Sequence, residues 1–331
     1  MHRSVLVKAL CWLCEEIDGR PSSIKAAERP TAMALNSDKI IGVTILAALP
    51  GLVTMSVVWG TGIVQNILWM LLFAGLIDLT SLKLKAKPAA QFRNIYPSSA
   101  LTVLLIAIGL PPAVAPGVLL VACLSSLGLA REAYGGIGRN VFNPAMVGYA
   151  VIFLAYPQQL AIWPSDINGL SGATLLTDFK YRDSLTISEF LSTHESAQQS
   201  SLMVACSFFL GGTFLLYKKI ITWHIPLTIM ATIVVLAQWG YDSGSSQSGG
   251  SPWFHLTAGG LVATAFFIAT DPVTHPLRKQ HQVFFAFIVA SVIYLVRTEG
   301  SFPDGIAFAI LFANCFTPIM NRYHLTRKTA E

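Results

Sequence analysis

Residues 40–77 read IIGVTILAALPGLVTMSVVWGTGIVQNILWMLLFAGLI, with no Asp, Glu, Lys or Arg. A bilayer crossing needs about 20 predominantly apolar residues, so this stretch holds enough for two, parted at Gly60-Thr61-Gly62. Uncharged runs recur at 94–130, 140–165, 196–217, 220–241, 243–270, 280–296 and 305–321. The first of these divides at Leu110-Pro111-Pro112-Ala113. The expected fold is an all-α polytopic membrane protein with ten spans, near 40–59, 63–82, 97–110, 113–130, 142–160, 201–217, 222–240, 254–270, 282–296 and 303–320. Composition agrees, since 53% of the 331 residues are hydrophobic and 12% are charged, against roughly 25% charged in soluble domains. So much apolar surface also excludes a disordered chain.

Positive residues concentrate on the cytoplasmic side of membrane proteins. With both termini inside, the ten-span arrangement places all of the 22 Lys and Arg residues there except Lys180, Arg182 and Arg297. The outer loop instead carries Asp166, Asp178, Asp183, Glu189 and Glu195. The net charge of +5 therefore reflects topology and not nucleic-acid binding. No cleavable signal peptide is expected, because Glu15, Glu16 and Asp18 interrupt the first 39 residues. The organisation is a cytoplasmic arm (1–39), a first membrane repeat (40–160), an outer loop (161–200), a second membrane repeat (201–321) and a cytoplasmic tail (322–331).

Five spans on each side of the outer loop require the two repeats to be inverted. Internal similarity supports this: LLIAIGLPP (104–112) and FFIATDP (266–272) both end at proline, and Phe142-Asn143-Pro144 and Phe302-Pro303-Asp304 open the last span of each half. Such positions suit broken helices, whose freed backbone groups must face protein, cofactor or ion. Gly135-Gly136-Ile137-Gly138 follows a span and not a strand, which favours a tight turn over a phosphate cradle.

Asp78 lies inside an expected span, where acids are functional candidates by default. A partly hydrated acid near Lys83 is the favoured reading, and an ion or proton path is the other. Asn143 before Pro144 and Asp271 before Pro272 suit half-helix caps more than ion ligands. Cys11 and Cys14 have metal-pair spacing but lack the further ligands of a closed site. The 5 cysteines are expected to stay reduced, the histidines show no metal-binding spacing, and no metal site is expected. Residues 243–251 read as a flexible outer loop.

In the outer loop, Asn168-Gly169-Leu170-Ser171-Gly172-Ala173-Thr174 gathers small residues and hydroxyls without an apolar purpose. Alone it reads as a helix cap. With its blocks at GGIGRNVFNPAMVG (135–148), FFIATDPVT (266–274) and PDGIAFAILFAN (303–314), however, the chain resembles a bacterial electron-transport family across nearly all of 40–320. That family comprises the D subunit of the Rnf ion-translocating complex and the B subunit of the sodium-translocating NADH:quinone reductase. Ser171-Gly172-Ala173-Thr174 looks like its flavin-attachment motif.

The resemblance implies FMN joined through its phosphate to Thr174 by a separate flavin transferase, with Ser171, Gly172 and Ala173 completing the motif. A noncovalent riboflavin in the same subunit is a further cofactor it allows. It also implies partner membrane, flavin and iron–sulfur subunits, coupling of ferredoxin and NAD chemistry to ion translocation, and a bacterial inner-membrane location. Chain length and the modest arm favour the Rnf subunit over its quinone-reductase relative. Asn168 stands where the family often has Asp, and Leu175 where it often has Pro, so slower or absent flavinylation is the expectation if the missing carboxylate serves transferase recognition. Thr174 is a tether, and no catalytic residue is assigned. The rival reading is a small-solute channel or transporter without flavin.

Overall fold

The computed structural model describes residues 31–165, 170–172, 174–182, 185–243 and 245–328. Cys11, Cys14, Asn168, Gly169, Ala173 and most of the N-terminal arm lie outside them. The chain divides into two units. In Met1–Ile40 only the start of a helix is described, and Ile41–Glu331 holds everything that follows.

The first half contains α1 (Thr31–Trp59), α2 (Gly62–Leu84), α3 (Phe92–Ala107), α4 (Pro116–Cys123) and α5 (Pro144–Ala155), followed by the single turn α6 (Pro157–Leu160). The outer segment has a short antiparallel pair, β1 (Trp163–Ser165) with β2 (Leu170–Gly172), then α7 (Leu175–Lys180) and α8 (Ile187–Thr193). The second half contains α9 (Glu195–Tyr217), α10 (His224–Gly240), α11 (Pro252–Thr257), α12 (Leu261–Ala263), α13 (Lys279–Thr298) and α14 (Ile306–Lys328). Each expected span overlaps helical backbone, but the span expected at 142–160 is split between α5 and α6 and that expected at 254–270 between α11 and α12.

By length and composition, four helices among the described residues qualify as bilayer crossings: Lys39–Trp59, Gly62–Leu84, Glu195–Tyr217 and Lys279–Thr298. Pro144–Ala155, His224–Gly240 and Ile306–Arg322 are apolar but shorter. Their outward faces are greasy. Val57 is 79% exposed, Val235 65% and Trp239 88%, an arrangement that water penalises and hydrocarbon accepts.

Both broken segments pass through π-helical turns, Leu124–Glu132 after α4 and Thr264–Ile268 after α12. Widened hydrogen bonds mark them, Ala133 N to Gly128 O at 3.0 Å and Ala269 N to Thr264 O at 2.8 Å. Each extra residue in the turn rotates the side chains beyond it, which is why π-turns recur at functional sites.

One apolar core joins the membrane helices across both halves, including Met70, Leu119, Ile152, Phe208, Phe266 and Phe285. α1 and α9 come close at Gly211, where any added Cβ would overlap the Ala47 carbonyl. A second, smaller core lies under the outer segment: Leu175, Leu176, Phe179, Ile187, Phe190, Phe254 and Ala258.

Candidate functional site

The outer segment places Thr174 at the head of a docked helix. Its backbone is extended (φ −69°, ψ 154°), and its Oγ1 accepts from Thr177 N at 3.2 Å and lies 2.8 Å from Thr177 Oγ1. That hydroxyl therefore caps α7, the local role its residue type predicts. Leu175, Leu176 and Phe179 turn one face of α7 into the smaller core, which leaves the half-buried Thr174 at the helix entrance. Ser171 and Gly172 lie in β2, paired with Pro164 and Trp163.

Beside α7 opens a cavity of about 380 Å³, bordered by Thr177, Asp178, Tyr181, Arg182 and His194. Asp178 Oδ2 is 3.8 Å from His194 Nε2. Burial raises the Asp178 carboxyl above its ordinary range, and His194 pulls it the other way. Burial likewise lowers the Lys180 ammonium, opposed by Glu299.

Asp78 is not the hydrated acid expected beside Lys83. It is 1% exposed, its Oδ1 is 2.5 Å from Arg131 Nη2, and its Oδ2 accepts from Ser99 Oγ at 2.6 Å. Arg131 Nη1 donates to the same Ser99 oxygen at 2.5 Å, and its Nε donates to Glu132 Oε1 at 3.0 Å. Glu132 Oε2 accepts from Ser81 at 2.7 Å and also pairs with Lys85. The π-turn carries Arg131 inward, so a cation counted as part of the cytoplasmic surface becomes the partner of the buried acid.

Asn143 caps α5, accepting from Ala145 N at 3.0 Å and Met146 N at 3.3 Å. It also ties the halves together: its Nδ2 donates to Ile268 O at 3.3 Å, and its backbone N donates to Asn314 Oδ1 at 2.9 Å. Asn314 Nδ2 in turn donates to Thr274 O at 3.2 Å. Asp271 caps a turn and not a half-helix, accepting from Thr274 Oγ1 at 2.9 Å and, at the longer 3.4 Å, from Val273 N. The structure does not bring Asp78, Asn143, Asp271 and Thr174 into one site. They belong to the Arg131 cluster, the junction between the halves (Asn143 and Asp271) and the outer segment. The Gly135–Gly138 stretch is a tight turn with positive φ at Gly135, Gly136 and Gly138.

Sequence reasoning missed Arg131, Asn314, Arg297 and Asn66, whose amide bridges Pro111 O at 2.7 Å and Val114 N at 2.9 Å across the break between α3 and α4. The two asparagines had a visible signal, being amides inside otherwise apolar runs. Among the described residues there is no group of His, Cys, Asp and Glu suited to a metal ion. Cys123, Cys206 and Cys315 are free thiols.

Apolar outward faces, broken helices tied by buried amides and a docked outer segment define a multi-pass helical membrane protein. The model of the NQR2, RnfD, RnfE family matches residues 29–330. The chain belongs to that family. It is 32% identical over 330 residues to the D subunit of an ion-translocating oxidoreductase complex from Cellvibrio japonicus (strain Ueda107), covering 90% of this chain and 92% of the relative. The protein of the same name from Pseudomonas aeruginosa (strain UCBPP-PA14) is 33% identical over 325 residues, covering 90% and 94%. That of Buchnera aphidicola subsp. Schizaphis graminum (strain Sg) is 31% identical over 323 residues, covering 86% and 92%.

Proposed function

We propose that this chain is the flavin-carrying membrane subunit of an Rnf-type ion-translocating oxidoreductase, with FMN attached through a phosphoester at Thr174. Family membership and relatives named as the D subunit of such a complex, matched over nine-tenths of the chain, support the oxidoreductase assignment. The observation that carries the flavin reading is the placement of Thr174. Its hydroxyl is half-buried, bonds only within its own helical turn among the described residues, and stands one turn from the cavity beside α7. A hydroxyl so placed accepts a phosphoryl group without dismantling the core.

Attachment by a flavin transferase forms the bond between Thr174 Oγ1 and phosphorus as the phosphoanhydride of FAD breaks, and AMP leaves. FMN, once bound, supplies the redox chemistry. The chain itself supplies a fixed tether: Thr174 holds the phosphate, and α7 sets where that tether begins. Ten crossings in two inverted repeats, both termini in the cytoplasm and the outer segment beyond the inner membrane complete the reading. Ferredoxin and NAD chemistry, iron–sulfur clusters and other flavins reside on partner subunits, and riboflavin within this chain is an additional expected cofactor.

In-gel flavin fluorescence of the denatured chain, coexpressed with a flavin transferase, tests the assignment. A fluorescent band is expected for the wild type and none for Thr174→Ala. A dark wild-type band, with the transferase proven active on another substrate, would overturn the flavin reading and favour the solute-transporter alternative.

A further inference from the structure

Three consecutive side chains at the end of α7 leave the outer segment and finish on backbone carbonyls of the second half. Lys180 Nζ donates to Val296 O at 2.9 Å, Arg297 O at 3.3 Å and Phe302 O at 3.0 Å. All of the ammonium hydrogens are thereby used. Val296 and Arg297 belong to the last turn of α13, where the helix dipole is negative; the Val296 carbonyl, which also accepts from Gly300 N at 3.1 Å, is shared with the lysine. Tyr181 OH donates to Ser301 O at 3.3 Å. Arg182 Nη2 donates to Ser246 O at 2.8 Å and Ser248 O at 2.5 Å, while its guanidinium lies 4.0 Å over the Phe179 ring.

The receiving surface is itself braced. Arg297 donates to His255 O at 2.9 Å and Ala258 O at 3.2 Å, and grips both oxygens of Asp304 at 3.2 and 3.0 Å. Leu176 packs against this brace at Gly259, where an added Cβ would lie 2.6 Å from Leu176 Cδ1. Apolar contact resists separation but is not directional. Bonds aimed at particular carbonyls set the register that apolar packing leaves free.

We propose that Lys180 and Arg182 are positioning residues for Thr174: they clamp the helix it caps onto the end of α13 and onto the loop containing Ser246 and Ser248. The origin of any cofactor tether is thereby fixed relative to the second half. Its meaning for cofactor placement rests on the flavin reading above, whereas the clamp stands on the hydrogen bonds alone.

The test is pulsed-EPR distance measurement on the full chain assembled with its partner subunits, in a background lacking native cysteines. Spin labels are placed through Thr174→Cys and Trp239→Cys, and the comparison is with Lys180→Met, Arg182→Gln and the two combined. The clamp predicts one narrow distance distribution in the parent and a distribution at least twofold wider in the combined variant. Where Lys180→Met fails to assemble, Arg182→Gln alone is expected to broaden it measurably. Unchanged widths in variants that copurify normally with their partners would overturn the proposal. In chains retaining Thr174, the flavin band is expected to persist on the denaturing gel in the combined variant, while the native complex, copurifying normally with its partners, shows lower flavin fluorescence anisotropy than the parent. Because the EPR widths need no flavin, a dark gel band sinks the flavin reading and leaves the clamp to be judged separately.

Discussion

Asp78 and Arg131 form a buried ion pair braced by Ser99 and Glu132. Removing one partner of such a pair strands a charge, at a cost of about 3–5 kcal/mol, whereas replacing both with apolar groups is often close to neutral. Arg131→Met is therefore expected to lower the stability of the detergent-solubilised chain strongly, and Asp78→Leu combined with Arg131→Met to recover most of the loss. Thermal unfolding of the singles and the double measures the coupling, and simple additivity would contradict the pairing. Asp78 was legible as an intramembrane acid. Its partner was not, because the two residues lie 53 positions apart and a cation near a span end resembles an ordinary topological charge.

At the scale of elements, the breaks in the helices carry the architecture. Between α11 and α12 the chain passes through Gly259 at φ +70°, a left-handed conformation that costs an L-residue roughly 1–2 kcal/mol. A methyl there would also meet Leu176, Asp304 and Arg297 at 2.6 to 3.0 Å. Gly259→Ala is accordingly expected to destabilise the chain by more than about 1 kcal/mol and to loosen α7, read as faster proteolysis of the outer segment. Gly42→Ala, in a helix with nothing within 4 Å of the new methyl, is the control expected to be neutral or mildly stabilising. Proline and glycine announced most of these breaks in the sequence. The π-turns were silent, since one extra residue in a turn leaves no mark on an apolar pattern. Thr174 as a cap and Asn143 as a cap were readable from residue type and neighbours. The link from Asn143 to Asn314 spans 171 positions and needed the fold.

For the whole molecule, the charge asymmetry predicts sidedness. In a cysteine-free background, Ser188→Cys in α8 is expected to react with a membrane-impermeant thiol reagent added to the outer face, and Lys218→Cys only after the membrane is opened. The opposite pattern would invert the topology. Membrane residence, the positions of the helices and the sidedness expected of their loops follow from the sequence alone, because bilayer thickness, hydropathy and positive charge act along the chain. Which polar groups meet depends on how the helices pack. The Arg131 cluster, the Asn143–Asn314 tie and the Lys180–Arg182 clamp join residues from separate helices and loops, and only the tertiary structure decided them, because a polar group buried away from water must find its partner wherever packing brings one within reach.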